Sequence, residues 1–163
     1  MNNEIFLRPF LEFPHSTIVN VPQSRTYSYE AFYALVMEVA AELEQLHLVK
    51  HSVIVIYGYK NSFKALQLFF ACIQCGYIPF LVESTSLSKI MDLKFNGIFS
   101  AKALPGGQFT SITHTKVFSE NFYYKIHDDL YRGDENDLLS VSSSGSTSKV
   151  AKRILLGKSQ TIN

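Results

Sequence analysis

The sequence lacks both a block of lysine and arginine residues and a long apolar run. Its 15 basic and 14 acidic residues are scattered along 163 positions, and the net charge is +1, so no segment can follow a nucleic-acid phosphate backbone. The apolar runs are too short to cross a bilayer, and the N-terminus has no signal-peptide character. These absences predict a cytoplasmic protein that neither binds nucleic acid nor spans a membrane.

Cysteine is also scarce, because Cys72 and Cys75 are the only two. Their C-x-x-C spacing is compatible with a redox motif or a metal site. A redox pair needs its first thiol at a helix N-terminus, but these thiols end a helical run that closes at Gly76. A zinc site needs two further ligands, and no second Cys or His cluster is present. The adjacent residues 127–129, His-Asp-Asp, project in different directions and favour a surface turn. We therefore interpret the thiols as buried and inert and predict no metal site.

Strand-like and helix-like segments alternate along a chain that is 47% apolar and 18% charged, a composition typical of one soluble domain. The predicted elements are two short strands, 17–20 and 25–27, joined by the turn 21–24; a helix capped by Ser28; a buried strand 53–57; a helix 63–75 capped by Asn61 or Ser62; a strand 77–82; a helix 87–93; and an extended segment 97–100. This order predicts an α/β fold with a layered, mostly parallel sheet and flanking helices over residues 1–163.

Details of these segments refine the prediction. The first long helix is amphipathic, with its apolar positions at three- and four-residue steps; they are Phe32, Leu35, Val36, Val39, Ala40, Leu43 and Leu46. The strands 53–57 and 77–82 flank a helix, so they are expected to be parallel neighbours. Pro79 predicts an edge position or a bulge for the second strand. Residues 108–131 mix Thr, aromatic and charged residues, which indicates irregular strands.

A hydroxyl-rich stretch follows the strand-like run Leu138–Val141. It reads Ser-Ser-Ser-Gly-Ser-Thr-Ser over residues 142–148, and Lys152 and Arg153 come shortly afterwards. Small residues, hydroxyls and a nearby cation are what a loop needs to wrap a phosphate group. Residues 154–156 are again strand-like, so the pattern is strand, loop, strand and not a Walker A loop. A flexible serine-rich linker is the alternative interpretation.

These residues resemble the signature loop of the AMP-forming adenylate synthetases, which include acyl- and aryl-CoA synthetases, nonribosomal-peptide adenylation domains and luciferases. The family loop reads roughly Thr-Ser-Gly-Thr-Thr-Gly-x-Pro-Lys, and its first six places are matched by Ser143, Ser144, Gly145, Ser146, Thr147 and Ser148. Residues 25–29 are similar to the family's threonine-tyrosine element. Residues 76–80 are similar to its Gly-Ala-Val-x-Val-Pro-Leu strand, so the likeness covers most of the chain.

The resemblance implies a phosphate-binding loop over residues 142–152. Those six residues would hold ATP, with Mg²⁺ shielding its charge and Lys152 as the cation. There are two departures: Ser148 stands where glycine is usual, and Lys152 comes one place later than the family lysine. The implied reaction joins a carboxylic acid to AMP and then to a CoA or carrier-protein thiol, but no catalytic residue can be assigned in this chain.

Members of this family are several times longer than 163 residues, and their acid pocket, adenine motif and mobile-domain lysine come after the part matched here. The resemblance therefore implies a truncated N-terminal portion that is inactive alone, with residues 160–163 starting the next helix. A non-catalytic relic or interaction module that self-associates through exposed faces is the alternative. A Rossmann domain is less compatible, because residues 58–61 do not form a G-x-G-x-x-G turn.

Overall fold

The computed structural model describes residues 4–82, 95–105, 113–125, 137–143 and 152–157. Within these ranges lie three α-helices, a 3₁₀ turn (Val21–Gln23) and nine strands. The helices are α1 (Glu4–Glu12), α2 (Tyr29–Glu44) and α3 (Ser62–Gln74). The strands are β1 (Thr17–Asn20), β2 (Arg25–Ser28), β3 (Val53–Tyr57), β4 (Ile78–Val82), β5 (Gly97–Ser100), β6 (Thr113–Val117), β7 (Glu120–Tyr124), β8 (Asp137–Ser143) and β9 (Lys152–Gly157).

Seven of these strands form one sheet in the order β6-β7-β5-β3-β4-β8-β9, and β1 and β2 form a separate antiparallel hairpin. The four central strands β5, β3, β4 and β8 are parallel. The hairpin β6–β7 joins one side of this centre, and β9 joins the other, both antiparallel. The predicted α/β class is confirmed, with a parallel centre and antiparallel margins.

Local chemistry explains the beginnings of the two long helices. The Ser28 hydroxyl accepts a hydrogen bond of 3.1 Å from the backbone N–H of Ala31, as expected for a helix cap. Asn61 caps α3 by accepting from the N–H groups of Phe63 and Lys64, at 3.1 and 3.4 Å. Gly76 follows the end of α3 at φ +75°, where glycine is favoured. The predicted boundaries of both helices are therefore confirmed closely.

Helices cover one face of the sheet and bury the predicted stripe of α2. The buried residues of α2 are Phe32, Val36, Val39, Ala40 and Leu43. They pack with α3 against Ile54 and Ile56, while Val53 and Val55 point to the opposite face, beside Phe80 and Ile98. β3 is therefore buried on both faces, as its continuous β-branched run predicts.

Close packing also explains one glycine in the sheet. A Cβ atom at Gly97 would lie 2.6 Å from Cζ of Phe122, whose side chain is fully buried. The two residues are on neighbouring strands, because β5 and β7 pair with Phe99 opposite Phe122. The ring of Phe122 therefore fills the space that a side chain at position 97 would need.

The prediction for Pro79 is wrong, because β4 lies inside the sheet between β3 and β8. The backbone N–H of Ile78 donates to Ser52 on the side of β3. Successive residues of a strand direct their backbone N–H groups to opposite neighbouring strands. The position of Pro79 that lacks an N–H therefore faces β8. The first pairing with β8 comes only at Phe80, opposite Ser140, so the proline removes no bond from the β3–β4 ladder.

Two further differences concern the segment 108–131 and the N-terminal helix α1. The irregular strands expected within residues 108–131 include a regular hairpin, in which Val117 pairs with Glu120 across a two-residue turn. The helix α1 has no counterpart in the sequence prediction. It contains Pro9, and its Phe10 ring packs 4.9 Å from Phe70 and 5.1 Å from Tyr29, measured between ring centroids. The predicted helix 87–93, residues 127–129 and residues 160–163 lie outside the described residues.

Candidate functional site

The parallel strands place several chain ends at one edge of the sheet. β5, β3, β4 and β8 end at Ser100, Tyr57, Val82 and Ser143, and parallel strands present their carboxyl ends together. Ligands of open α/β sheets bind outside this edge. The hydroxyl-rich stretch begins here, because its first two residues, Ser142 and Ser143, end β8.

The two ends of the predicted phosphate loop are antiparallel neighbours. β8 and β9 pair from Asp137 opposite Gly157 to Ser143 opposite Lys152, with an irregularity between Asp137 and Leu139. The strand-loop-strand prediction is confirmed for these two strands. Of the predicted phosphate-binding residues, the backbones of Ser143 and Lys152 are brought together, and Ser144, Gly145, Ser146, Thr147 and Ser148 lie outside the described residues. Their binding role stays a prediction.

The turn from β3 into α3 lies at the same edge. Gly58 has φ +73°, and its backbone N–H donates to the Val82 carbonyl at 3.0 Å, which holds the turn against β4. Asn61 then caps α3. Residues 58–61 therefore form a tied turn and not a phosphate-binding glycine loop.

A polar cluster fastens this turn to the β6–β7 hairpin. The Tyr59 hydroxyl donates to Oε2 of Glu120 at 2.8 Å, and Nζ of Lys64 lies 3.6 Å from Oε1 of the same Glu120. Burial, the hydrogen bond and the charge of Glu120 raise the pKa of Tyr59 well above its usual value. The phenol therefore remains protonated and keeps donating. Sequence reasoning missed this cluster because Tyr59 and Glu120 are 61 residues apart.

The two thiols are buried and unbonded to each other. Burial raises the pKa of Cys72, and burial together with Glu44 raises the pKa of Cys75 to about 12, despite an opposing effect of Lys50. Cys75 Sγ also donates to the Ala40 carbonyl at 3.5 Å. The thiolate is the reactive form, so these raised pKa values disfavour reaction at neutral pH. The burial predicted from the sequence is confirmed for both thiols.

Among the residues that the structure describes, no three His, Cys, Asp or Glu side chains form a group able to hold a metal ion. No helix in that part of the chain combines the length and the apolar character needed to cross a membrane.

Comparisons with known proteins identify the fold. No family model matches the sequence, and no curated protein matches it. Among solved structures, the NpsA N-terminal subdomain of Klebsiella oxytoca matches at a TM-score of 0.63 and 18% identity, over 95% of this chain and 41% of that one. A fatty acyl CoA synthetase of Mycobacterium tuberculosis matches at 0.62 and 14%, over 96% and 34%. MatB of Rhodopseudomonas palustris matches at 0.65 and 17%, over 96% and 35%.

The chain thus has the fold of the N-terminal portion of adenylate-forming enzymes, and the resemblance seen in the sequence is confirmed at the level of the fold. It spans between 34 and 41% of the length of these three structures. The NpsA N-terminal subdomain has also been solved in complex with 3-hydroxybenzoyl-AMSN, and NpsA occurs in an artificially fused adenylation-PCP di-domain with ThdA.

Proposed function

We propose that this chain is the N-terminal part of an ATP-dependent, AMP-forming carboxylic acid ligase, in which residues 142–152 hold the phosphates of ATP. The observation that carries the proposal is that β8 ends at the carboxyl edge of four parallel strands, with Ser143 paired to Lys152 of β9, in a fold shared with adenylate-forming enzymes. The proposed ligase converts the acid to an acyl-adenylate and passes it to CoA or a carrier-protein thiol.

The residue types of the loop fit a triphosphate. Hydroxyl groups and the backbone N–H groups of small residues donate to phosphate oxygens, and a lysine neutralises their charge. Ser143 and Lys152, which flank residues 144–151, form a cross-strand pair. The two ends of the loop are therefore adjacent. The proposed phosphate ligands are Ser143, Ser144, Gly145, Ser146, Thr147, Ser148 and Lys152.

ATP bound here supplies an electrophilic α-phosphorus and a pyrophosphate leaving group. The residues of this chain bind and orient the triphosphate, which contributes placement and electrostatic stabilisation to an in-line transfer. Mg²⁺ prefers oxygen ligands and keeps several waters, so it is held largely through the phosphates themselves. The proposal assigns no catalytic residue to this chain.

Binding of Mg²⁺-ATP to the 163-residue chain tests the loop assignment. An NMR titration is expected to shift the amide signals of residues 142–152. Lys152→Ala is expected to weaken binding by about ten- to a hundredfold, because a charge-assisted hydrogen bond contributes about 1.5–3 kcal/mol. Lys158→Ala is the matched control, which removes a nearby lysine outside the loop. Equal effects of the two variants, or shifts elsewhere only, would contradict the assignment.

Pyrophosphate exchange tests the ligase assignment separately. The protein encoded by the complete gene is expected to exchange labelled pyrophosphate into ATP with at least one acid of a broad panel, while the 163-residue chain exchanges none. The absence of exchange with every acid would overturn the ligase proposal even if the loop binds ATP.

A second candidate is a non-catalytic interaction module that retains the scaffold. It is favoured by Ser148 in place of glycine and by the late Lys152, and by Leu81, which is 44% exposed although β4 is internal. This candidate predicts no ATP binding and a concentration-dependent self-association. Light scattering that shows a monomer at high concentration would exclude self-association, and ATP binding would exclude the loss of the nucleotide site.

A further inference from the structure

A cavity of about 330 Å³ lies on the helix-covered face of the sheet, at the carboxyl ends of β3 and β4 and beside the start of α3. Its wall is mostly apolar and includes Ile56, Leu66, Leu81 and Val82. Tyr59 and Lys60 contribute to it from the turn between β3 and α3. Its volume falls within the range of about 300–1,000 Å³ that is typical of small-molecule sites.

The order of strands reverses next to this cavity, at the boundary between β3 and β5. β4, which follows β3 through α3, lies on one side of β3, and β5, the next strand of the sheet, lies on the other. In open α/β sheets, ligands bind in the crevice that such a reversal creates at the carboxyl ends of the strands. The cavity is lined by β3, α3 and β4 and by no residue of β5, so it lies at the same edge of the sheet, beside this crevice.

The exposure of Leu81 indicates an apolar occupant. Parallel strands inside a sheet are normally covered on both faces, yet Leu81 is 44% exposed while its strand neighbours Phe80 and Val82 are buried. Covering this side chain gains roughly 25 cal/mol for each Å² of apolar surface removed from water. An apolar body in the cavity supplies that cover.

The charges around the cavity favour an anionic head group. Lys60 is exposed, and it belongs to neither of the two ion pairs found within the described ranges. The carboxylate of Glu120, in contrast, accepts from Tyr59 and lies beside Lys64, so its charge is already compensated. Lys60 therefore remains available for a negative group at the mouth of the cavity.

We propose that this cavity binds a small organic anion with an apolar body, with its chain against Leu81 and Leu66 and its anionic group near Lys60. β4 separates this cavity from β8 and the predicted phosphate loop, so the inference does not rest on the proposed function. The resemblance places the acid pocket of the ligases in later residues, and this site is therefore an addition to it.

NMR titration with three probes of one apolar body tests the head-group assignment. Octanoate is expected to bind the 163-residue chain and to shift the amide signals of residues 56–66 and 81–82. Octanol is expected to bind about three- to fivefold more weakly, as for the loss of one exposed charge pair, and octylammonium more weakly still. Shifts confined to other residues, or equal affinities for the three probes, would overturn the proposal.

Two variants with matched controls locate the site. Lys60→Gln is expected to reduce octanoate affinity to that of octanol and to leave octanol unchanged, whereas Lys102→Gln, at another exposed lysine of the same edge, changes neither. Leu81→Trp is expected to fill the cavity and abolish the binding of both probes. Met37→Trp is its control, because Met37 is 39% exposed but belongs to α2.

Circular dichroism and thermal melting establish that each variant is folded before its affinity is compared. Retained octanoate binding by folded Leu81→Trp, or equal losses in Lys60→Gln and Lys102→Gln, would overturn the proposal. ATP titration of the same variants is expected to be unchanged. Failure of this inference is thereby distinguishable from failure of the proposed phosphate loop.

Discussion

At the amino edge of the parallel strands, side chains form hydrogen bonds with backbone groups. At the carboxyl edge, the backbone of a turn forms such a bond, and a cavity lies beside it. Oδ1 of the buried Asn96 accepts from the Val53 N–H at 2.8 Å, and the Ser52 hydroxyl donates to the Val49 carbonyl. Nζ of Lys50 donates to the Cys75 carbonyl near the end of α3. Side chains that bond to the backbone therefore close much of the amino edge, and within the described residues Nδ2 of the buried Asn96 has no hydrogen-bond partner.

The carboxyl edge differs in both packing and charge. Gly58 turns with open space where a Cβ would lie, and Lys60 is exposed. We infer that the packed amino edge contributes more to the stability of the fold, and that the open turns of the carboxyl edge provide the surface for ligands.

Gly97→Ala at the amino edge is expected to give the largest effect on stability. The new Cβ would meet the buried ring of Phe122, and overpacking a core costs about 1–3 kcal/mol. Urea unfolding monitored by circular dichroism measures the change. The smaller side chain of Phe122→Leu leaves room for the new Cβ. In that background, adding Gly97→Ala is expected to lower the free energy of unfolding by less than it does in the unsubstituted chain. Full stability of Gly97→Ala would contradict the tight packing of this edge.

Asn96→Ala, also at the amino edge, is expected to cost about 1–3 kcal/mol, because the buried N–H of Val53 loses its acceptor. Asn121→Ala is the control. Its Oδ1 accepts from Lys116 at the surface, so this variant should change the free energy of unfolding by less than about 0.5 kcal/mol. Similar losses in the two variants would remove the distinction between a closed edge and exposed polar contacts.

Asn61→Ala at the carboxyl edge is expected to cost about 1 kcal/mol through the loss of the α3 cap. Gly58→Ala is expected to cost about 1 kcal/mol from its positive φ alone, since nothing lies within 4 Å of the added Cβ. The same urea measurement applies to both. A loss for Gly58→Ala that equals or exceeds that of Gly97→Ala would break the comparison between the edges.

The last expected effect concerns pH at the end of α3 and is absent at neutral pH. The folded state raises the pKa of Cys75 to about 12 from an ordinary value of 9.0, so the unfolded thiol loses its proton first. The contribution of this group to stability is therefore complete below pH 9 and falls as the pH rises from 9 to 12. Cys75→Ala is expected to flatten the decline of the unfolding free energy in that window, relative to the unsubstituted chain. An unchanged slope would contradict the burial of this thiol.

Local signals predicted most of the elements but little of their arrangement. Ser28 and Asn61 are capping residues by their chemistry, and the β-branched run of β3 indicates burial on two faces, so these features were predictable from short stretches. The helix α1 was missed because it contains Pro9, and its packing against Phe70 bridges distant parts of the chain. The edge position predicted from Pro79 was wrong because the direction of its missing donor depends on which strands flank β4.

The candidate site divides in the same way. The residue types of the phosphate loop are evident in the sequence, and its proposed role still rests on them. The position of β8, which leads into that loop, with its carboxyl end beside those of three other parallel strands, became evident only in the structure, as did the contact of Tyr59 with Glu120.

The sequence by itself determined where helices and strands begin, which positions are apolar and which loop is rich in hydroxyl groups, because these depend on neighbours within a few residues. The sequence also predicted that β3 and β4 are parallel neighbours, and the structure confirms it. Only the tertiary structure decided that β5 lies on the other side of β3, that β4 is internal and that a cavity opens between α3 and the sheet. Strand order and cavities depend on contacts between residues far apart in the chain, and local propensities carry no information about which distant segments pair.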